Sequence, residues 1–185
     1  MPNVQALLVD EGVNFESFIV TQPGCTPSRA SLLRGQYSNN HGVVRSSGDF
    51  GGFQRFHDLG HEGSTIAPWL KAVGYRTALV GKYLNHYPGN LDPTYVPPGW
   101  DEWYSPTDGI GNANGKGYRN YTLNENGVRV AYGKGRDDYS TDVYARKAVE
   151  VIDRSAAEGR PLLLYVAPRA PHGPAQPAQR HKGAF

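Results

Sequence analysis

The chain of 185 residues carries 19 Lys and Arg against 17 Asp and Glu, a net charge of +2, together with 23 Gly, 14 Pro and one cysteine, Cys25. A length of this order fits one ordinary domain or a piece of a larger one, and the near-balance of charge removes self-repulsion as a cause of disorder, so a folded, loop-rich chain is expected. One cysteine excludes an internal disulfide and any multi-cysteine zinc site, leaving Cys25 as either an inert buried thiol or a chemically active group. No apolar run approaches the roughly 20 residues of a membrane-spanning helix, and Met1-Pro2-Asn3 opens no basic segment followed by an apolar one, so neither a membrane span nor an export signal is expected here. Lys and Arg are scattered and carry no basic motif, which argues against a nucleic-acid partner.

In chain order, Val4, Leu7, Leu8 and Glu11 fall at helical spacing and Gly12 follows as a stop, predicting a helix from about Pro2 to Glu11. Val13, Phe15 and Phe18-Ile19-Val20 fit a short extended segment ending in the turn Gln22-Pro23-Gly24. Ser28 to Leu33 reads as a helix closed by Gly35, with Cys25 at its N-terminal mouth and Pro27 tolerated at its entrance. Residues 46–64 lack periodicity and read as loop. Thr65 is placed to cap a helix running through Trp69, Leu70 and Val73, with Gly74 as its end. Tyr75 to Lys82 reads as a buried strand with Lys82 at its carboxyl end. Residues 83–117, rich in Pro, Gly and Trp, read as one long loop. Tyr118–Leu123 and Val128–Tyr132 flank Asn-Glu-Asn-Gly and predict a hairpin. Ser140 or Thr141 opens the longest helix, closed by Gly159, and Pro161–Ala167 forms another buried strand whose following loop contains His172. Alternating helices and buried strands point to an α/β sheet, with functional groups at the carboxyl ends of strands, where Lys82 and His172 stand.

The string Cys25-Thr26-Pro27-Ser28-Arg29, continued by Ala-Ser-Leu-Leu-Arg-Gly-Gln-Tyr37, carries the strongest chemical signal. Free N–H groups and the dipole at a helix N-terminus favour an anionic group beside Cys25. The string resembles the signature of the formylglycine-dependent sulfatases, in which the cysteine is oxidised after synthesis to an aldehyde. Gly81-Lys82-Tyr83-Leu84-Asn85 resembles the glycine-lysine segment of the same family, whose lysine lies between nucleophile and sulfate. Ala170-Pro171-His172-Gly173-Pro174 resembles the loop whose histidine contacts the sulfate ester and protonates the departing oxygen, a role suited to imidazole. One departure is plain: many members carry a histidine two residues after the lysine, and here that position is Leu84, which leaves Asn85 and His86 as substitutes by proximity alone. His41 is expected to fix the loop beneath the helix. Trp100, Trp103 and Tyr104 are expected to pack the long loop, with stacking on a sugar ring as the alternative. From Gly81 to Pro174 the order of motifs is similar to that of the N-acetylglucosamine-6-sulfatases and their bacterial relatives.

The resemblance implies an alkaline-phosphatase-like α/β fold, here a fragment with a mixed, largely parallel sheet flanked by helices, and residues 1–185 as part of an N-terminal catalytic domain. It implies hydrolysis of sulfate esters, with sulfated sugars as substrate class and 6-sulfated N-acetylglucosamine among them. Cys25, Arg29, Lys82 and His172 are then the catalytic residues, with Lys82, His172 and Asn85 binding substrate. A calcium ion is implied as cofactor, with Cys25, as formylglycine, among its ligands, and the formylglycine-generating enzyme as a partner. The acidic pairs that hold this ion in the family are not found: Asp10-Glu11 lies too near Cys25, and Asp137-Asp138 precedes a helix and suits its N-terminal charge. The chain is therefore expected to be incomplete at both ends. Relatives of this kind are secreted, periplasmic or lysosomal, and the chain itself does not fix a compartment. Two other readings stay open: a phosphoester or phosphonate ester hydrolase using the same aldehyde, and an inactive truncated product that only binds sulfated glycans.

Overall fold

Arg76–Gly81 (β1) and Leu162–Ala167 (β5) pair in parallel, from Arg76 opposite Leu162 to Gly81 opposite Ala167, as two continuous apolar runs should. The computed structural model describes residues 2–107 and 117–183. Three further strands, β2 (Glu102–Pro106), β3 (Tyr121–Glu125) and β4 (Val128–Tyr132), complete a five-stranded sheet of order β4-β3-β2-β1-β5. β1 is parallel to both β2 and β5, whereas β2–β3 and β3–β4 are antiparallel. The sheet is mixed as expected, and its parallel character is confined to the half that carries β2, β1 and β5.

Helices cover both faces, and the two-residue period of β1 shows how. Leu79 points into a cluster built from α2 (Cys25–Arg34), α4 (Gly52–Asp58) and α5 (Ile66–Ala72), through Ala30, Leu33, Phe53, Phe56 and Ala67. Ala78 and Val80 point to the other face, where Val143, Tyr144 and Val151 of α6 (Ser140–Glu158) close a second cluster. α6 ends on Gly159 in the left-handed conformation, as its sequence predicts. The remaining helical pieces are short: α1 (Pro2–Val4), which continues as a π turn over Gln5–Val9, α3 (Ser38–His41), and 3-10 turns at His61–Gly63, Arg136–Asp138 and Gln179–His181.

Several expectations need correction. Residues 46–64 hold α4, because Phe53 and Phe56 at a spacing of three both reach the core from a helix too short to show periodicity. The stretch read as one loop from residue 83 contains β2, a strand buried on both faces, and residues 108–116 lie outside the described part. The hairpin forms around Asn126-Gly127, both with positive φ, in register Glu125 opposite Val128; its first strand starts at Tyr121 rather than Tyr118. Thr65 occupies the N-cap of α5 and Tyr139 that of α6, and neither helix has a side-chain capping bond. The N-terminal helical segment ends at Val9 and buries none of its residues, and Val13, Phe15, Phe18, Ile19 and Val20 are likewise exposed.

Two buried polar groups fix the loop-rich parts to the sheet. Asn124, fully buried on β3, donates to Tyr87 Oη at 3.0 Å and to the Tyr95 carbonyl at 2.9 Å, and accepts from Gly127 N–H at 2.7 Å. Trp103 Nε1–H donates to the same Tyr87 hydroxyl at 2.9 Å, so the long segment after Lys82 is held by aromatic packing and a satisfied hydrogen-bond network. Trp100, Trp103 and Tyr104 are buried, which settles their use as packing.

Glu102, 5% exposed, opens β2 between Arg76 and Arg154, with N–O distances of 2.8 and 2.5 Å. Burial works to raise its pKa, but hydrogen bonds from Arg154, Tyr104 and Arg76 outweigh it and hold the carboxyl below its ordinary value. A depressed carboxyl contributes stability that is fully present above its unfolded-state pKa and is lost as pH falls through the folded-state value. Glu102→Gln should therefore lower unfolding free energy at pH 7 by about 3 kcal/mol and flatten the stability profile between about pH 5 and 3, as read by urea unfolding.

Candidate active site

Helix α2 begins at Cys25 itself, with Gly24 as an extended N-cap and the first helical bond running from Ser28 N–H to the Gly24 carbonyl at 3.0 Å. The sequence places the start nearer Ser28. Pro27 instead sits inside the first turn, where its missing N–H costs no helical bond, and Cys25 takes the first helical position at the positive end of the dipole. This turn is pinned from below. Fully buried Thr26 receives the Asn85 N–H on its hydroxyl and donates that hydroxyl to Asn85 Oδ1, both at 3.0 Å, while its N–H reaches Ser46 Oγ at 3.3 Å. The Cys25 thiol is free and half-buried.

Strand β1 delivers Lys82 through a constraint that only glycine meets. Gly81 has φ +109°, and a Cβ there would lie 2.2 Å from the Ala167 carbonyl oxygen. The close approach lets Lys82 N–H donate to that carbonyl at 2.8 Å, so Lys82 stands beside the loop leaving β5. The ammonium-bearing side chain is 6% exposed. Burial pushes its pKa below the ordinary lysine value; the Cys25 sulfur beside it works in the opposite direction, and Arg29 and Arg169 add to the lowering.

Arg29, one turn along α2 from Cys25, donates from Nη1 to the Lys82 carbonyl at 2.7 Å and to Tyr165 Oη at 3.2 Å, tying the helix to both β1 and β5. His172 lies on the loop after β5: its N–H donates to the Arg169 carbonyl and its carbonyl accepts from Tyr118 Oη, each at 2.8 Å. Its Nδ1 is 2.7 Å from the Gly173 carbonyl oxygen, an acceptor, which assigns the proton to Nδ1 and leaves Nε2 free for exchange with a ligand.

Cys25, Arg29, Lys82 and His172 thus come together on one cleft of about 350 Å³, walled by Pro168, Ala170 and Pro171. A further cation, Arg169, lines it as well; sequence reasoning passed over it, although it stands three residues before His172 on the same strand-end loop. Its guanidinium lies 5.5 Å from the centre of the Tyr118 ring. Asn85 does not line the cleft, because its side chain is engaged by Thr26. His86 is exposed and lines a separate hollow with Gly52 and Tyr87. Leu84 is buried with Tyr83 and Trp103, so the position that carries a histidine in many family members faces the core here. His41 is buried beneath α2, with Nδ1 accepting from Val43 N–H at 3.2 Å and Nε2 placed 3.0 Å from Ser31 Oγ. Burial, aided by His61 and Arg34, lowers its pKa, and its place beneath α2 fits a fastening of the loop.

The cleft suits an anion and not a cation. Three cationic side chains and a histidine line it, with no carboxylate. Among the described residues no three His, Cys, Asp or Glu side chains converge as a metal site would require. Calcium takes about six to eight oxygen ligands, so the residues present do not fit that ion. Asp10 is exposed and accepts from Gln5 Nε2 at 2.6 Å, and Asp138 accepts from Gly135 N–H at 3.0 Å; neither approaches the cleft lining. No helix among the described residues is long and apolar enough to cross a membrane.

Comparison with known proteins gives the family of the chain. The whole chain is 36% identical over 188 residues to the extracellular sulfatase SULF-1 homolog of Drosophila melanogaster, covering 16% of that protein. It is 34% identical over 191 residues to human N-acetylglucosamine-6-sulfatase, again over the whole chain and 33% of the relative. The solved structure of BT4656 in complex with its substrate D-glucosamine-2-N,6-O-disulfate superposes with a TM-score of 0.73 at 26% identity, covering 100% of this chain and 32% of that one. The chain thus spans about a third or less of the length of these relatives. A family model described as Sulfatase matches residues 1–185 in full, and the chain belongs to the sulfatase family.

Proposed function

We propose that this chain is the nucleophile-bearing part of a sulfatase catalytic domain that hydrolyses sulfate esters of sugars. The observation that carries the reading is the single cleft that joins Cys25, at the first position of α2, to Lys82, Arg29, Arg169 and His172. The half-buried side chain of Cys25 at a helix N-terminus, next to the Lys82 side chain, fits the oxidation of that residue to formylglycine. When formed, that group supplies a hydrate oxygen as the nucleophile toward sulfur. Two of the matched relatives, human N-acetylglucosamine-6-sulfatase and BT4656 with its substrate D-glucosamine-2-N,6-O-disulfate, carry sulfated sugars in their names, which supports this substrate class, and 6-sulfated N-acetylglucosamine is the candidate within it.

The chain's own residues have distinct tasks. Lys82, Arg29 and Arg169 surround the sulfate with donors that strengthen as charge grows on its oxygens, in a recess where Lys82 is already desolvated. Arg29 also sets the position of Lys82 by binding its carbonyl. His172 keeps its Nδ1 proton on the Gly173 carbonyl, so a second proton taken up at Nε2, in the imidazolium form, is the one passed to the departing sugar oxygen. Asn85 contributes through Thr26, by holding the turn that carries Cys25, and is a positioning residue in this reading.

Cys25→Ala in the intact protein should reduce hydrolysis of a sulfated monosaccharide to background, a loss of about 10⁴-fold or more, while the unfolding transition stays in place. Retained turnover would contradict the assignment. Lys82→Met keeps the buried stem and removes the charge; kcat/KM for the same substrate should fall by about 10²–10³-fold with no loss of folding. Parallel assays with a matched phosphate monoester should show the sulfate ester turned over faster, and the reverse order would favour the phosphoester reading.

A further inference from the structure

A second cluster of positive charge lies against Ala178–Arg180, in the segment that follows the His172 loop. Arg119, Lys134, Arg136 and Arg180 line a groove of about 560 Å³ with Tyr139 and Asp142. Asp142 is the one carboxylate of the lining, and Arg180 already neutralises it through two hydrogen bonds of 2.7 and 2.8 Å. Asp137 and Asp138 are neighbours in sequence but do not line the groove. Arg119 has its guanidinium 5.3 Å from the centre of the Tyr139 ring and donates to the carbonyls of Lys134 and Gly135, so it is held in place without a carboxylate. Lys134 and Arg136 are exposed and form no salt bridge among the described residues. A chain of net charge +2 therefore concentrates three uncompensated cations on one concave surface.

The groove is linked to the cleft through a pair of packed rings. Tyr118 and Tyr139 stack with ring centres 6.1 Å apart and planes within 16°. Arg169, in the cleft, lies over Tyr118, and Arg119, in the groove, lies over Tyr139. Tyr118 Oη donates to the His172 carbonyl and Tyr139 Oη to the Gln176 carbonyl, each at 2.8 Å, so both rings brace the segment that runs from His172 to Arg180. Two anion-seeking surfaces are thus set a fixed distance apart by two stacked rings and one loop.

We infer that the groove is a second anion subsite, which holds a further sulfate or carboxylate of a multiply sulfated oligosaccharide while another sulfate of the same chain occupies the Cys25 cleft. The inference rests on the sulfatase reading of that cleft. A glycan suits the groove better than a nucleic acid, because Tyr139 is buried beneath Arg119 and offers no open face on which a base could stack. Contacts remote from the reacting bond act equally on ground and transition states, so their loss should raise KM and leave kcat unchanged.

The test compares two substrates in the intact protein: a hexasaccharide of alternating uronic acid and glucosamine bearing several sulfates, and 6-O-sulfo-N-acetylglucosamine. Lys134→Glu combined with Arg136→Glu should raise KM for the hexasaccharide about tenfold or more and weaken its salt dependence, with monosaccharide kinetics within about twofold of the parent. Lys134→Gln with Arg136→Gln gives the same direction at smaller size and serves if charge reversal disturbs folding, which the thermal midpoint reports. Equal changes for both substrates, or an unchanged hexasaccharide KM in a folded variant, would overturn the subsite. So would equal loss of affinity for a DNA oligonucleotide of matched charge, which would mark a general polyanion surface. If the parent turns over neither substrate the sulfatase reading fails by itself, and titration with the hexasaccharide still decides the groove.

Discussion

The close approach of β1 to β5 at their carboxyl ends is the constraint on which the site depends. Gly81 gives up a side chain so that the backbone can pass within contact of the Ala167 carbonyl, and the Lys82 N–H closes the pair at 2.8 Å. That one junction sets a desolvated ammonium next to the loop that carries Arg169 and His172. Arg29 then crosses from α2 to bind the carbonyl of the same lysine, which brings the N-terminus of α2, with Cys25, onto the strand ends. Function at the carboxyl edge of parallel strands is the general expectation for α/β sheets, and here it follows from a specific backbone contact.

Electrostatics in the cleft run against burial. Lys82 pays desolvation with no carboxylate in the cleft lining to offset it, a costly arrangement for a merely structural residue. The cost is reasonable where an anionic ligand completes the site, since the negatively charged sulfuryl oxygens of a sulfate ester supply the missing charge. Glu102 shows the opposite design on the same sheet: a buried carboxylate between Arg76 and Arg154, with its charge matched within the protein. The contrast sets a buried charge matched within the protein against one left without a carboxylate partner in the cleft lining.

Much of the site was legible in the sequence because it is built from contiguous strings. Cys25 to Arg29 share one helical turn, Gly81-Lys82 closes one plainly apolar strand, and Pro171-His172 stands in the loop that follows another. What escaped was whatever depends on partners distant in sequence. The helix start at Cys25 relies on Thr26 bonding to Asn85, 59 positions away. Strand β2 was hidden inside a Pro- and Gly-rich stretch because its identity comes from pairing with β1 and β3, and α4 because a seven-residue helix is stabilised by Phe53 and Phe56 packing rather than by propensity. Arg169 was passed over since a lone arginine in a loop carries no pattern, and only the fold sets it beside Lys82. Proximity in sequence also misled: Asn85 follows Lys82 closely, yet its side chain turns to Thr26 and away from the cleft.

Everything proposed about catalysis requires that Cys25 is converted from a thiol into an aldehyde. The most direct measurement is peptide mass spectrometry across Gln22–Arg29 on protein made in a host that produces formylglycine. The expected spectrum shows Cys25 with its sulfur replaced by aldehyde oxygen in a major fraction of the chains. An unmodified thiol at Cys25 in essentially all molecules from that host would contradict the central claim.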